Sequence, residues 1–477
     1  MARTRSPAAP AVVLTGGTDD VLAARVARQL FSSAPVVVVA SEDGPAARTA
    51  AAEAERVHAP LLLTAATAPA NRTAATPAAP ATAVDPAVRR EVGRLHPRAV
   101  LAVGLAAGTL AAGLPGVRVV SDPAALPATA APPPLSHVAV LLPRGTSAPA
   151  LAVTATAQVA GATVVAMRGA DPRADPAAIA ALAQARPRHV VAVGAGFGSA
   201  ARLAGRVAVA ATGTQLPGGG QVLFPGHRLV ALYGHPGSPA LGVLGQQDLA
   251  ASIARARKMA AAYRSLSDVP VVPTFEIIAT VALGSPGPEG TYSAVSSVAS
   301  LRPWVDAATA AGFYVVLDLQ PGRASLLDQA KVYEPLLRRP NVGLALDPEW
   351  KLQPGQMPLR QIGSVGIDEV NGVVGWLAGL TARYHLPQKL LVLHQFRLSM
   401  IRGEQDLDTG NDDLAIVLHM DGQGTPGVKD ETWKAVTGAA PRGVWFGWKN
   451  FYTKDHPMLS PQQTMTNVPA PVMISYQ

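Results

Sequence analysis

Two carboxylates, Asp347 and Glu349, stand two residues apart in the stretch Gly343-Leu-Ala-Leu-Asp-Pro-Glu-Trp350. The apolar run before them reads as a buried strand, and residues i and i+2 of a strand share a face. Two acids on one face are costly to bury without a partner or a task. One carboxyl held protonated near neutral pH can donate a proton to a leaving oxygen, while an ionised neighbour stabilises positive charge. We assign Glu349 as the acid, with Asp347 and Asp318 as the other catalytic carboxylates. Glu276, His394, Gln395, His419, Asp421, Lys449 and Tyr476 lie at or near the ends of other apolar runs and are expected to bind substrate. Trp350, Trp445 and Trp448 offer flat apolar faces on which sugar rings can stack. This chemistry needs no cofactor and no metal. Glu276, Asp318, Asp347, His394, His419 and Asp421 are also oxygen and imidazole donors that can hold zinc, manganese or magnesium and activate a water. No H-x-H or H-E-x-x-H spacing accompanies them.

These residues need a scaffold that brings distant strand ends together. From Leu229 onward the chain alternates short apolar runs with helix-like stretches. The expected strands are Leu229–Tyr233, Val272–Ile278, Tyr314–Leu319, Val342–Leu346, Lys389–His394, Leu414–Leu418, Gly443–Phe446 and Pro471–Ser475. Helices are expected over Asp248–Leu266, Ser296–Ala311, Ser325–Arg338 and Asp368–Tyr384. Eight strands over this length match a (β/α)8 TIM-type barrel, whose functional residues sit at the carboxyl ends of the strands. An open doubly wound sheet is the alternative.

The first half has a different rhythm. Val12–Leu14, Val36–Ala40, Leu61–Thr64 and Ala99–Val103 read as buried parallel strands. Val21–Leu30, Ala46–Val57 and Ala87–Leu95 read as the helices between them. Leu95-His-Pro-Arg-Ala-Val-Leu-Ala-Val-Gly104 then recurs as Ala185-Arg-Pro-Arg-His-Val-Val-Ala-Val-Gly194, a period of 90 residues. Val138–Leu142 and Thr163–Met167 echo the earlier strands, so two small Rossmann-like α/β repeats are expected. The division read from the sequence is 1–123 for the first repeat, 137–225 for a degenerate second repeat, and 226–477 for a barrel expected to be catalytic. Asp122–Ser136, with three consecutive prolines, reads as a linker, and Ala66–Asp85 as a surface loop.

Composition sharpens the contrast. Hydrophobic residues make up 49% and charged residues 15%, which excludes a disordered chain. Cysteine is absent, which excludes disulfides and thiolate chemistry. Residues 1–228 hold 20 Arg, no Lys and 11 acids, a net charge of +9. All six Trp and all eight Tyr fall in the second half. The basic half suggests an anionic partner. Basic residues are not interleaved with aromatics, so no nucleic acid is expected. No segment reaches the ~20 apolar residues of a membrane span. Ala8–Leu14, broken by Pro10, is too short for the apolar core of a signal peptide.

Two resemblances bear on function. Gly17-Thr-Asp-Asp-Val-Leu-Ala-Ala-Arg-Val-Ala27, Val36-Val-Val-Val-Ala-Ser-Glu-Asp-Gly-Pro45, Ala59-Pro-Leu-Leu-Leu-Thr64 and the Pro-Arg-x-Val-x-x-Val-Gly strand resemble the type 2 cell-wall-binding repeat of Gram-positive surface proteins. Ala46 stands where that family usually has Asp, and two repeats are present where three are common. The resemblance implies that residues 1–225 bind an anionic cell-wall polymer and that the protein is extracellular or in the cell wall. Gly343–Trp350 resembles the strand-four signature of family 18, chitinase-like, glycoside hydrolases, with Ala345 in place of the family's first Asp. It implies a glycan substrate in the barrel cleft, Glu349 as general acid, and Asp347 orienting an acetamido group or stabilising an oxocarbenium ion. A metal-dependent hydrolase, or a non-catalytic glycan-binding barrel, remains as an alternative.

Overall fold

The computed structural model describes residues 1–65 and 84–477; residues 66–83 of the expected surface loop lie outside them. The chain divides into two compact units, Met1–Gly213 and Thr214–Gln477. Among the described residues, no helix is long and apolar enough to cross a membrane.

The first unit holds two four-stranded parallel sheets. One runs in the order Leu61–Thr64, Val36–Ser41, Ala99–Val103, Val119–Val120. The other runs Ala11–Leu14, His189–Val193, Val138–Pro143, Thr163–Met167. The strand Ala11–Leu14 therefore pairs with the last strand of this unit, Val191 opposite Val12, and not with its sequence neighbours. The 90-residue period is visible in matching caps. Asp85 accepts from the Ala87 N–H and Asp175 from the Ala177 N–H, each with a proline in the first turn. Those two helices also end alike, on His96 and Arg186 in the left-handed conformation. Thr156, on the helix Ala148–Val159, bonds both the N–H and the carbonyl of Leu61, tying the second repeat to the first.

The second unit is a closed barrel of eight parallel strands. In order around the barrel they are Arg228–His235, Val271–Ala282, Tyr314–Leu319, Val342–Leu346, Lys389–Gln395, Leu414–Met420, Trp445–Asn450 and Met473–Tyr476, and the last pairs with the first. Two short antiparallel strands, Ser238–Gly242 and Ser293–Val295, extend the first and second strands. The seventh strand starts at Trp445, later than expected, because Gly443 takes a left-handed conformation (φ 88°). The eighth starts at Met473, past Pro471, which has no N–H for a ladder. The helix expected over Ser325–Arg338 is two, Leu326–Val332 and Glu334–Leu337, because Pro335 cannot continue the hydrogen-bond ladder. Between the fifth and sixth strands the helix is replaced by the short 3-10 turns Leu398–Met400 and Glu404–Asp406.

Strand pleating sorts the side chains. Outward residues such as Leu317, Leu344, Leu391 and Leu418 form the main core with the surrounding helices. Inward residues Leu229, Tyr314, Val316, Ala345, Leu390, Val392, Val417 and Met473 fill the amino-terminal half of the barrel. Gly343 is an inward position whose bareness is used. The Tyr314 hydroxyl passes over it to accept from the Leu390 N–H at 3.0 Å, and a Cβ at Gly343 would lie 2.6 Å from the Leu390 carbonyl oxygen and 3.0 Å from that hydroxyl. We expect Gly343→Ala to cost about 1–3 kcal/mol, the usual penalty for overpacking a filled core. Urea unfolding of the full chain checks this, and an unchanged midpoint refutes it.

Candidate active site

The same pleat that fills the lower barrel with apolar groups places polar ones above them. On successive strands the inward column continues to Tyr233, Glu276, Asp318, Asp347, His394, His419, Lys449 and Ser475. All of these are buried. The centre is His394. Its Nε2 lies 2.9 Å from Glu276 Oε1 and 3.9 Å from Asp318 Oδ1, and its Nδ1 lies 3.4 Å from Asp421 Oδ2. Burial opposes charge on this ring, but Glu276 and Asp421 outweigh it and hold its pKa well above the ordinary value. His394 is therefore an imidazolium. Its neighbour His419, 5.1 Å away between ring centres, is pushed the other way by burial and by the charges of His394 and Lys449. The neutral His419 ring sits 3.2 Å from Ser475 Oγ and lies over Gly447, where a Cβ would approach it to 2.4 Å.

Asp318 accepts from the Tyr233 hydroxyl at 2.8 Å, and Gln320 donates to that hydroxyl at 3.3 Å. Burial lifts the Asp318 carboxyl to about 6 against the pull of His394. Lys449 rests its ammonium 3.5 Å from the centre of the Tyr233 ring.

Asp347 and Glu349 are brought together, though not by strand alternation as expected. The strand ends at Leu346, and Asp347 precedes a 3-10 turn over Pro348–Trp350 that brings Glu349 back beside it. Carboxylate oxygens of Asp347, Glu349 and Asp421 all lie within 4.8 Å of one another. Asp347 is 2% exposed, and its Oδ1 has no hydrogen-bond partner. Burial, then the charges of Glu349 and Asp318, push its pKa well above the ordinary range. Glu349 is half-buried, and burial followed by the charge of Asp421 lifts it to about 7. It lines a cavity of about 510 Å³ together with Trp350, Leu352 and residues of the following loop. Three carboxylates at this spacing can share protons or hold one oxygen-preferring divalent cation. His394 and Lys449 already place two positive charges among them, which favours proton sharing.

The other expected residues fall elsewhere. Trp448 points outward, fully buried against Trp433 and bonded through Nε1 to Asn450, so no sugar can stack on it. Trp445 points inward but at the start of its strand, against Phe224, at the opposite end of the barrel. Tyr476 points outward and pairs its hydroxyl with Tyr263 at 2.6 Å. Gln395 also points outward, donating to Glu404 at 2.7 Å. Tyr233 and Ser475 take their places in the inward column. Strand parity was the available signal, since Tyr233 shares a face with Leu229 and Ala231, and Ser475 with Met473.

No family model matches the chain, and no curated protein matches it.

A carboxyl whose folded pKa is raised adds stability that is present below its unfolded pKa and lost as pH rises through the folded one. For Glu349 that window runs from about 4.5 to about 7. We expect the wild type to lose stability relative to Glu349→Gln as pH rises across it. Paired urea titrations at several pH values test this; parallel curves contradict it.

Proposed function

We propose that the barrel unit is a glycoside hydrolase acting on a cell-wall or other N-acetylated glycan, with Glu349 as general acid and Asp347 as the orienting and stabilising carboxylate. The observation that carries this reading is that Glu349 alone of the three clustered carboxylates lines the cavity, while Asp347 and Asp421 lie buried within 4.8 Å of it. A sugar seated in that cavity meets a protonated carboxyl at its glycosidic oxygen. As Glu349 gives its proton to the leaving oxygen it takes the proton of Asp347, whose carboxylate oxygen lies within 4.8 Å, so that Asp347 is left charged towards the anomeric carbon or the acetamido group. Tyr233, Asp318, Glu276 and His394 hold the buried charges in place beneath. With Asp347 orienting the acetamido group, that group can shield the anomeric carbon in place of an enzyme nucleophile, the substrate-assisted exception to the two-carboxyl rule. Cleavage with retained configuration is the expected outcome.

The test is hydrolysis of chitin-type and peptidoglycan-type oligomers. Glu349→Gln is expected to lower turnover roughly 10²- to 10⁴-fold, the usual contribution of a general acid. Wild-type activity is expected to fall as pH rises through about 7, where Glu349 gives up its proton. The close carboxylate trio also favours a second reading, a cation-assisted hydrolase at the same barrel end. Activity abolished by a chelator and restored by a divalent metal would establish that reading over the first.

The first unit, on this proposal, anchors the enzyme to an anionic wall polymer outside the cell. Support comes from its charge: residues 1–213 hold 19 Arg, no Lys and 11 acids, a net charge of +8. Full-length protein is expected to co-sediment with isolated cell walls and to be released by raised salt. Retention of nucleic acid in place of walls would remove this role.

A further inference from the structure

The cavity beside Glu349 is built on one side by cations and donors that the proposed acid chemistry does not use. Arg360, from the loop after the fourth strand, and Arg397, from the loop after the fifth, both line it. Among the described residues neither guanidinium has a carboxylate within ion-pair distance; the only ring contact of Arg397 is with the neighbouring Phe396. Arg323, on the loop after the third strand, and Arg402 are instead tied to Gln356 and Ser364. Lys454 adds a further positive charge near Glu349.

Arginine side chains donate hydrogen bonds and accept none. A cavity lined by two guanidiniums with no carboxylate partner is complementary to a ligand carrying negative charge. A planar carboxylate matches the fork of a guanidinium better than hydroxyl or acetamido groups do. The apolar side chains of Leu352 and Leu359 in the same wall leave room for the face of a sugar ring.

Resting on the hydrolase reading above, we infer that the substrate is an acidic glycan: the sugar bound beside the cleavage point carries a carboxylate, received by Arg360 and Arg397. These two arginines are then specificity-determining residues for the site, and neutral chitin-type chains are the poorer ligands.

Calorimetric binding to the full-length Glu349→Gln protein tests this without turnover. Two tetrasaccharides with the same β-1,4-linked N-acetylglucosamine backbone serve as probes, one neutral and one carrying lactyl carboxylates on alternate sugars. The charged probe is expected to bind roughly ten- to a hundredfold tighter, as charge-assisted hydrogen bonds allow, and the preference should shrink as salt rises. Adding Arg360→Gln and Arg397→Gln together is expected to bring the ratio of the two affinities towards one. Arg360→Lys with Arg397→Lys should keep part of it. Equal binding of the two probes, or a preference that survives the double Gln variant, overturns the inference. If that happens while the wild type still cleaves either oligomer, the hydrolase reading stands. If neither probe binds and neither is cleaved, the hydrolase reading fails and takes this inference with it.

Discussion

A closed barrel of parallel strands imposes one constraint on every residue it contains: alternate side chains must point to the axis, and there is no edge at which to escape. In this chain the axis is apolar at the amino-terminal end and ionic at the carboxyl end. Tyr314, Val316 and Asp318 make that change along one strand, and Leu390, Val392 and His394 make it along another. Once the strands close, the acids and histidines have no other place to go. The cluster follows from pleat and closure together.

A buried group of five carboxylates would not survive as five charges. The structure manages them in two ways. His394 is kept charged by Glu276 and Asp421, so one cation is shared by acids from separate strands. Asp347 and Glu349 are pushed towards the neutral form by burial and by each other's neighbours, so their charge is removed at its source. The two devices divide the cluster into a buried ionic centre and a proton-bearing edge. The His394 network is fully buried and carries its own cation, whereas Glu349, whose carboxyl burial and Asp421 lift to about 7, lies at a cavity wall.

Much of this was legible before any coordinates. The barrel strands announced themselves as short apolar runs, and the polar residues at their carboxyl ends marked where the buried ionic cluster lies. Parity was the finer signal. It correctly joined Asp318 to Val316, and the same rule applied to the seventh strand separates Lys449, which shares a face with Trp445 and Gly447, from Trp448. Reading Trp448 as a sugar platform set residue chemistry above strand geometry. Gln395 and Tyr476 fall outside the cluster for the same reason. Trp445 has the correct parity and the wrong height, which depended on where the strand begins.

What the sequence determined alone is what local rules govern: which segments are strands, the 90-residue repeat with its matched Asp-Pro caps, the absence of thiol chemistry, and the pairing of Asp347 with Glu349. What only the tertiary structure decided are relations between distant segments. Ala11–Leu14 joins His189–Val193, because parallel strands pair by packing across the unit and not by nearness in the chain. Asp421 comes within reach of Asp347 and Glu349, and Arg360 and Arg397 share a cavity, because barrel closure sets the distances between strand ends. The turn that brings Glu349 beside Asp347 is local, but the proton it holds is not. That proton depends on burial and on charges brought from other strands, quantities that exist only once the chain has folded.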